Sequence, residues 1–469
     1  MFDILLTSDD QGPLYIQLYR HIRGLIQRGA IPDGTKLPSI RTLSQQIHFS
    51  KNTIETAYQM LIEEGYVISK PRSGLYVVAP LLHPPISNQQ AFNLSKNTHL
   101  SNENALLSPY DASIDFSLLE IDSESFPLQT WKACLNESIN YNSSRIHQYG
   151  DNKGEYALRL QIAHYLQQSR GVSCSPEQIV VGTGMSNSLH LLSKLIGQSA
   201  RIAFEKNAIA QVGDIFSQNG YTVVPFPLNE NDLSIAEIMP ANIDEVYVTP
   251  SHRPSGNPLS YAIRQELISW AYHNQSYIIE DDYDGEFRHA GKTIPSLQGL
   301  DQHGVVIYIG TFSKAFTPAL RMNYLVLPHQ LLPKLQAMER TLSSPSRMDQ
   351  LAMALFMERG HWYRHIRRMR NTYRKKHERM LQLIHTHLGS LVQIEGRGAG
   401  LHIELTVHIA CSAEKLKDLA LAKGVRVYSS QQAELVPNNK KPKIYLGFGG
   451  ITMKNMERGI QLLKEAWIR

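Results

Sequence analysis

The chain has few cysteines, and their placement weighs against two common uses of the thiol. Cys134, Cys174 and Cys411 are the three cysteines among 469 residues. They are odd in number, scattered along the chain and in no Cys-x-x-Cys arrangement, which argues against a disulfide framework and against a cysteine zinc site. We therefore expect idle or buried thiols, no metal site and a reducing compartment.

Long apolar runs are also missing. No stretch approaches the roughly 18–20 consecutive apolar residues that a membrane-spanning helix needs. The first ten residues lack the basic segment that opens a signal peptide. These two absences predict a protein without a membrane partner and with a cytoplasmic location.

An excess of positive charge is absent from the N-terminal region. The whole chain has a net charge of +5, but its first 80 residues contain eight Lys and Arg against seven Asp and Glu side chains. Bulk charge therefore does not indicate nucleic-acid binding in this region, and such an interpretation requires a motif.

Length and pattern divide the chain into three segments. At 469 residues it exceeds the usual size of a single domain. We predict an N-terminal domain at residues 1–79. A polar, aperiodic linker follows at residues 80–110, and a large domain covers residues 111–469.

Apolar periodicity in the N-terminal segment predicts three helices. The first runs from Pro13 to Gly29, and the second begins near Ser39. The third begins at Asn52, with Glu55 three residues later at the spacing of a capping box. Two short strands follow between residues 66 and 78, with a turn at residues 71–74. Three helices and a hairpin make a winged helix-turn-helix.

Four stretches of this region closely resemble the winged helix of the GntR family: residues 38–44, 50–58, 64–66 and 72–76. The resemblance implies binding of double-stranded DNA, with the third helix in the major groove. A helix N-terminus with hydroxyl groups suits phosphate contacts. The alternative is a protein-binding winged helix with solvated basic residues. The candidate DNA-binding residues are Ser39, Arg41, Lys51, Asn52, Thr53, Arg72 at the wing tip, and Gly74, which lets the wing backbone approach DNA.

The large segment alternates strand-like and helical patterns, which predicts an α/β fold with a mostly parallel sheet. Helices are expected at residues 185–196 and 262–273. The clearest strands are residues 178–182, 201–204, 222–224, 245–249, 277–279, 305–309 and 324–327.

Within this alternation, an acidic strand end at Asp281 and Tyr283 precedes the segment Tyr308–Arg321, which contains Gly-Thr-Phe-Ser-Lys. The two segments together resemble the site of a fold-type-I pyridoxal 5'-phosphate (PLP) enzyme. Such a site needs a lysine for the aldehyde, an acid for the pyridine nitrogen, a donor for the ring oxygen and a phosphate cup.

Each requirement has a candidate. Lys314 is the Schiff-base lysine, Asp281 the partner of the pyridine nitrogen and Tyr283 the donor to the ring oxygen. The alternative is a surface lysine and a structural aspartate. The candidates for the phosphate cup are Ser313, Arg321, Thr311 and the helix start formed by Gly184, Met185 and Ser186.

With both halves in place, the chain resembles the MocR/PdxR subfamily of GntR regulators, which join a winged helix to an aminotransferase-like domain. Further matching segments are residues 149–154, 249–256, 398–402 and 446–448; the second of these adds His252 to the cofactor-binding candidates. The resemblance implies an aminotransferase-like effector domain that binds PLP. It also implies a domain-swapped homodimer.

The chain departs from the family pattern where a substrate would bind. Ile209 stands where members often place a tyrosine near the PLP ring, and Gln432 stands where amino-acid-responsive members clamp a carboxylate with arginine. The loop after His252 is one residue shorter than in the family pattern. Arg397 or Arg426 could replace the clamp. These departures favour PLP itself, or an effector without a clamped carboxylate, as the sensed ligand.

We therefore expect a PLP-binding, DNA-binding transcriptional regulator that senses PLP or an amino compound. It would control genes of vitamin B6 or amino-acid metabolism, and it would be a regulator rather than an enzyme. One alternative is a catalytically active aminotransferase with an appended DNA-binding domain. Another is a scaffold that never binds the cofactor.

One basic segment, residues 361–377, is predicted to be a helix whose inner stripe is Ile366, Met369 and Tyr373. Its charged face is either solvated or an extra phosphate contact for bent DNA. In the second case Arg367, Arg368 and Arg370 would carry the contact.

Overall fold

The structure of the protein is a computed structural model that divides into two compact units, Met1–Leu107 and Ser108–Arg469. None of the helices in the described residues is long and apolar enough to cross a membrane. The predicted linker, residues 80–110, lies outside the residues that the structure describes. The described residues are 13–71, 73–78, 114–197, 200–205, 210–228, 235–251, 258–289, 295–395, 398–429 and 441–468.

The small unit is a three-helix winged fold. Its helices are α1 (Leu14–Gln27), α2 (Ile40–Ile47) and α3 (Lys51–Glu63), and its wing is the antiparallel pair β1 (Val67–Lys70) and β2 (Gly74–Val77). The predicted winged helix-turn-helix is confirmed. Its core is built from apolar side chains of all five elements, among them Leu18, Ile22, Leu43, Ile54, Leu61, Val67 and Val77.

Serine hydroxyls set the starts of α2 and α3. The Ser39 Oγ accepts the Thr42 N–H at 3.1 Å, and the Ser50 Oγ accepts the Thr53 N–H at 3.2 Å. The expected start of α3 at Asn52, with a capping box to Glu55, is wrong, because the helix begins one residue earlier behind Ser50. A short hydroxyl in extended backbone reaches the third helical amide, which satisfies one of the unpaired donors at a helix start.

The large unit contains α4 to α15 and β3 to β14. Its helices are α4 (Leu128–Tyr141), α5 (Tyr156–Arg170), α6 (Met185–Ile196), α7 (Ala210–Gln218), α8 (Ile235–Ile238), α9 (Tyr261–His273), α10 (Leu297–Leu300), α11 (Leu332–Met338), α12 (Arg347–Glu358), α13 (His361–His387), α14 (Ala413–Ala422) and α15 (Met453–Trp467). Its strands are β3 (Ile114–Asp115), β4 (Ile179–Gly182), β5 (Arg201–Glu205), β6 (Thr222–Phe226), β7 (Glu245–Val248), β8 (Tyr277–Asp281), β9 (Val306–Thr311), β10 (Asn323–Val326), β11 (Val392–Glu395), β12 (His402–Val407), β13 (Val425–Arg426) and β14 (Lys443–Gly447).

Seven strands form the central sheet in the order β4-β10-β9-β8-β7-β5-β6. Only β10 runs antiparallel to its neighbours β4 and β9, so the sheet is mostly parallel, as predicted. All seven predicted strands are present with ends shifted by one or two residues. A smaller antiparallel sheet has the order β11-β12-β14, and β3 pairs with β13 in parallel.

Both faces of the central sheet are buried. Side chains of a strand alternate between faces, and Ile278 and Ile279 accordingly belong to two different apolar cores. One core includes apolar residues of α6 and α7, and the other includes apolar residues of α9. This double cover explains why these strands are continuous apolar runs in the sequence.

The basic segment forms the first part of α13. Ile366, Met369 and Tyr373 are buried, which confirms the predicted inner stripe. Arg367 and Arg368 are exposed. Arg370 differs from them, because its Nε donates to the Glu286 carbonyl at 2.8 Å and so links α13 to the loop after β8.

Glu245 generates a prediction on stability. It is fully buried at the start of β7, and burial is the main cause that raises its pKa to about 8 from an ordinary value of 4.5. The folded protein binds this proton more tightly than the unfolded chain does. The stability contributed by the group is therefore fully present below a pH of about 4.5 and is lost as the pH rises to about 8.

We expect Glu245→Gln to be more stable than the parent above pH 8, by on the order of 2–4 kcal/mol, with a smaller difference near pH 5. Urea unfolding of both proteins across this pH range measures it. Glu358→Gln, which changes an exposed carboxylate at the end of α12, should follow the parent. Parallel profiles for the parent and Glu245→Gln would contradict the prediction.

Candidate cofactor site and DNA interface

Three chain segments meet at the carboxyl edge of the central sheet. Asp281 ends β8, Thr311 ends β9, and Gly184 follows β4 as the N-cap of α6. Ligands of open α/β sheets bind at this edge, where the strand ends and helix starts converge.

Asp281 presents a buried carboxylate oxygen that lacks a partner. The side chain is 2% exposed, and the Tyr247 hydroxyl donates to its Oδ2. Oδ1 is buried without a hydrogen-bond partner among the described residues. Burial is the main cause that raises the pKa of Asp281 to about 7. A buried acceptor of this kind is costly unless a donor arrives, and a protonated pyridine nitrogen is such a donor.

Lys314 lies in the loop after β9. Its Nζ donates to the Leu118 carbonyl at 2.7 Å and to the Leu119 carbonyl at 3.2 Å. Burial lowers the pKa of Lys314, and nearby Asp284 acts in the opposite direction. A lowered pKa increases the fraction of neutral amine, which is the form that attacks an aldehyde.

The Arg321 guanidinium lies beside the start of α6. Gly184 has φ of 116°, and no side chain caps this helix start, whose first turn contains Met185 and Ser186. A Cβ atom at Gly184 would lie 2.7 Å from Arg321 Nη2. Unpaired amides, the helix dipole and a guanidinium together suit a phosphate.

Two further predicted residues support this arrangement. The Ser313 N–H donates to Thr311 Oγ1 at 3.1 Å, which shapes the turn leading into Lys314. Burial, with a contribution from Asp284, raises the pKa of Tyr283 well above its ordinary value, so its phenol stays neutral and able to donate.

Sequence reasoning missed Tyr247, Asn323 and the carbonyls of Leu118 and Leu119. Tyr247 could have been found, because it lies opposite Ile279 on the neighbouring strand and Asp281 follows two residues later on the same face. Asn323 Oδ1 accepts the Gly184 N–H at 3.1 Å. The two carbonyls carry no side-chain signal at all.

Several predicted positions lie outside the described residues: His252, Ile209, Arg397, Gln432 and Arg72. Arg426, one possible replacement for the carboxylate clamp, is described. Its Nη1 lies 3.8 Å from the Asp115 carboxylate, so it is already part of an ion pair.

In the candidate DNA interface, the long polar side chains of Arg41, Lys51 and Asn52 are exposed. The hydroxyls of Ser39 and Thr53 are engaged at the helix starts, 2.7 Å from Thr42 Oγ1 and 2.8 Å from Ser50 Oγ respectively. The two hydroxyls therefore contribute to the helix starts that present the exposed side chains.

The wing adds basic groups that the sequence did not single out. Lys70 Nζ lies 4.6 Å from the Tyr76 ring centroid, and Lys36 Nζ lies 6.0 Å from it. Gly74 has φ of 115°, and a Cβ there would meet Lys36 Cε at 3.0 Å. Within the unit, the backbone conformation at position 74 therefore favours glycine.

Comparisons with known proteins agree with both units. Residues 14–77 match the family described as bacterial regulatory proteins, gntR family, and residues 117–403 match aminotransferase class I and II. The HTH-type transcriptional regulator YdeL of Bacillus subtilis is 39% identical over 97% of each chain. The probable rhizopine catabolism regulatory protein MocR of Rhizobium meliloti is 30% identical over 99% of this chain and 96% of its own.

Solved structures share the fold of the large unit. A multiple substrate aminotransferase from Thermococcus profundus has a TM-score of 0.68 at 22% identity, covering 80% of this chain and 95% of its own. A kynurenine aminotransferase from Pyrococcus horikoshii has a TM-score of 0.67 at 21% identity, covering 75% and 90%.

A DNA-reading winged helix and a fold-type-I aminotransferase domain in one chain define a class of transcriptional regulators. The chain belongs to the MocR/PdxR subfamily of GntR-family regulators. The predicted fold, family and regulatory function are thereby confirmed.

The DNA interface generates the next prediction. We expect Arg41→Ala and Lys51→Ala to weaken binding to duplex DNA and to reduce the salt dependence of log affinity by about 1 for each lost phosphate contact. Asn52→Ala should relax sequence preference by about 1–3 kcal/mol at one base pair.

Anisotropy titrations at several salt concentrations measure these effects, with a duplex that the protein has selected from a random-sequence pool. Gln59→Ala, at an exposed position two turns along α3, should bind like the parent. Parent-like affinity and salt dependence in all three variants would rule out this interface.

The phosphate cup generates a prediction about PLP binding. Gly184→Ala would place a methyl group against Arg321 in a backbone conformation that L-residues rarely adopt. Because Lys314 and Asp281 are untouched, we expect the variant to lose its preference for PLP over pyridoxal, which lacks the phosphate. Titrations followed by visible absorbance measure that preference. Gly220→Ala also introduces a side chain at a positive φ, but with no neighbour within 4 Å, and it should keep the parent's preference.

Proposed function

We propose that the protein is a transcriptional regulator whose large unit binds PLP through Lys314 and responds to PLP itself or to an amino compound. The observation that carries the proposal is the buried, unpartnered Oδ1 of Asp281 at the carboxyl edge of the sheet. A pyridine nitrogen that keeps its proton would pair this oxygen and stabilise its charge.

The residues present fit PLP. Asp281, held by Tyr247, would bind the pyridine nitrogen, and Tyr283 would donate to the ring oxygen. PLP supplies an aldehyde that condenses reversibly with primary amines, and Lys314 is the amine in place for it. The phosphate would be held by the amides of Met185 and Ser186 with Arg321, Ser313 and Thr311; His252 completes the set of candidates.

The regulated genes are proposed from chemistry and from two relatives. One relative is named as a regulator of pyridoxine biosynthesis, PdxR of Corynebacterium glutamicum, at 30% identity over 86% of this chain and 85% of its own. The other is MocR, named for rhizopine catabolism. We therefore assign this protein, acting on DNA in the cytoplasm, to genes of vitamin B6 or amino-acid metabolism.

We further propose that the protein acts as a domain-swapped homodimer. The large unit carries aromatic side chains that a monomer leaves in water: Tyr149 is 103% exposed and Tyr141 is 83% exposed. Arg347 Nη1 donates to the carbonyls of Arg145, Gln148 and Tyr149, which holds this loop in place. A rigid loop with exposed aromatics suits contact with a second copy.

The second candidate function is that of an active aminotransferase, which the match of residues 117–403 to aminotransferase class I and II favours. The two functions differ in the fate of PLP once it is bound. An aminotransferase converts bound PLP to pyridoxamine phosphate when an amino donor is added, whereas a sensor of PLP changes its affinity for DNA without consuming a donor.

The decisive experiment titrates PLP-free protein with PLP and measures visible absorbance and DNA affinity in the same samples. We expect an absorbance band that depends on Lys314 and a change in affinity for the selected duplex. Lys314→Ala should show neither the band nor any change in DNA affinity when PLP is added. Lys334→Ala, at an exposed lysine of α11, should behave like the parent.

Three other results would change the assignment. A band with unchanged DNA affinity would make PLP a fixed prosthetic group and direct the search to an amine effector. Formation of pyridoxamine phosphate after addition of amino donors would favour the aminotransferase. Absence of any Lys314-dependent band would contradict PLP binding altogether.

A further inference from the structure

The segment Ser117–Ile121, which we call the strap, crosses the candidate cofactor site between two fixed ends. On its N-terminal side, β3 pairs with β13, and the fully buried Phe116 accepts the Gly447 N–H at 2.9 Å. On its C-terminal side, Lys376 Nζ lies 2.7 Å from Asp122 Oδ1, and both side chains are largely buried. Only the middle of the strap can therefore move without breaking the core.

The middle of the strap is exposed, and hydrogen bonds from Lys314 hold its backbone. Leu119 is 78% exposed, yet its carbonyl and that of Leu118 both accept hydrogen bonds from Lys314 Nζ. Hydrogen bonds to a charged donor are worth more than neutral ones. The ammonium group of one lysine thus bridges the loop after β9 to the backbone of the strap.

Condensation with an aldehyde removes donors from this nitrogen. The Lys314 ammonium gives up a proton, the neutral amine attacks the carbonyl carbon, a C=N bond forms, and the carbonyl oxygen leaves as water. If the imine takes a proton back, the charge is unchanged, but the nitrogen has gone from three N–H donors to one. One N–H cannot satisfy the two carbonyls that the ammonium satisfies.

We propose that Lys314 is a latch on the strap and that formation of a Schiff base at its nitrogen releases the strap. The inference rests on the proposed binding of PLP and adds the step by which binding would reach the rest of the chain. The strap begins four residues after residues 79–113, the stretch that joins the large unit to the winged helix in the sequence. A released strap therefore changes the chain within a few residues of the point where it enters the large unit.

Hydrogen–deuterium exchange tests the latch directly. We expect PLP to speed exchange of the amides of residues 118–121 by at least about tenfold in the parent. Lys314→Ala should exchange fast with or without PLP. Lys314→Gln keeps N–H donors but cannot condense, so its strap should not respond to PLP. Peptides of β10 and of α1 serve as internal references and should be unaffected.

A second variant releases the strap without touching the lysine. A Cβ atom at Gly447 would clash with the Ser117 carbonyl oxygen, so Gly447→Ala should push the strap away from its seat. We expect fast strap exchange in this variant without PLP, together with the DNA affinity that the parent shows only with PLP. Gly398→Ala is the matched control, because a Cβ there meets nothing within 4 Å.

The outcomes separate this inference from the proposed function. No Lys314-dependent absorbance with PLP would overturn the proposed function. A normal absorbance band with unchanged strap exchange would overturn the latch and leave PLP binding intact. Fast strap exchange in Gly447→Ala with the DNA affinity of the PLP-free parent would overturn the link between the strap and DNA.

Discussion

The candidate cofactor site depends on one buried ion pair at the end of β8. Arg170 donates to both carboxylate oxygens of Asp282, at 2.6 Å and 3.0 Å, and to the Gly285 carbonyl at 3.2 Å. The Tyr308 hydroxyl donates to the same carboxylate at 2.7 Å. Two charges in a dry interior are tolerated only when each is paired and hydrogen-bonded. This pair therefore dictates the path of the loop that follows Asp281.

Two further buried charged side chains, Glu280 and Arg264, fix the neighbouring loops in a similar way. The buried Glu280 carboxylate accepts the amides of Leu297 and Gln298, at 2.8 Å and 2.9 Å, at the start of α10. Arg264, fully buried, donates to the carbonyls of Leu259, Pro250 and Pro295. Loops that would otherwise carry unsatisfied backbone groups are in this way fixed around the sheet edge, and a fixed edge is what a small ligand needs.

In contrast to these fully paired charges, the cofactor-binding candidates Asp281 and Lys314 are incompletely stabilised by the protein alone. Asp281 has a raised pKa and an unpaired oxygen, while Lys314 has a lowered pKa and relies on two carbonyls. Each condition costs stability in the free protein and would be relieved by a ligand that offers a cationic ring nitrogen and an aldehyde. A ligand that binds the folded state would also stabilise it by mass action.

Local patterns in the sequence determined much of this protein: the seven strands of the sheet, the bounds of α6, the winged helix, and the placement of Asp281, Thr311 and Gly184 at one edge. Periods of two and of 3.6 residues and the chemistry of turns act over a few neighbours, so they are readable from the chain. Tertiary structure alone decided the rest. Arg370 donates to a backbone carbonyl of the loop after β8, and Lys314 donates to carbonyls almost two hundred residues earlier. These contacts depend on which elements pack together, and a backbone carbonyl is the same group at every residue, so no pattern in the sequence marks it.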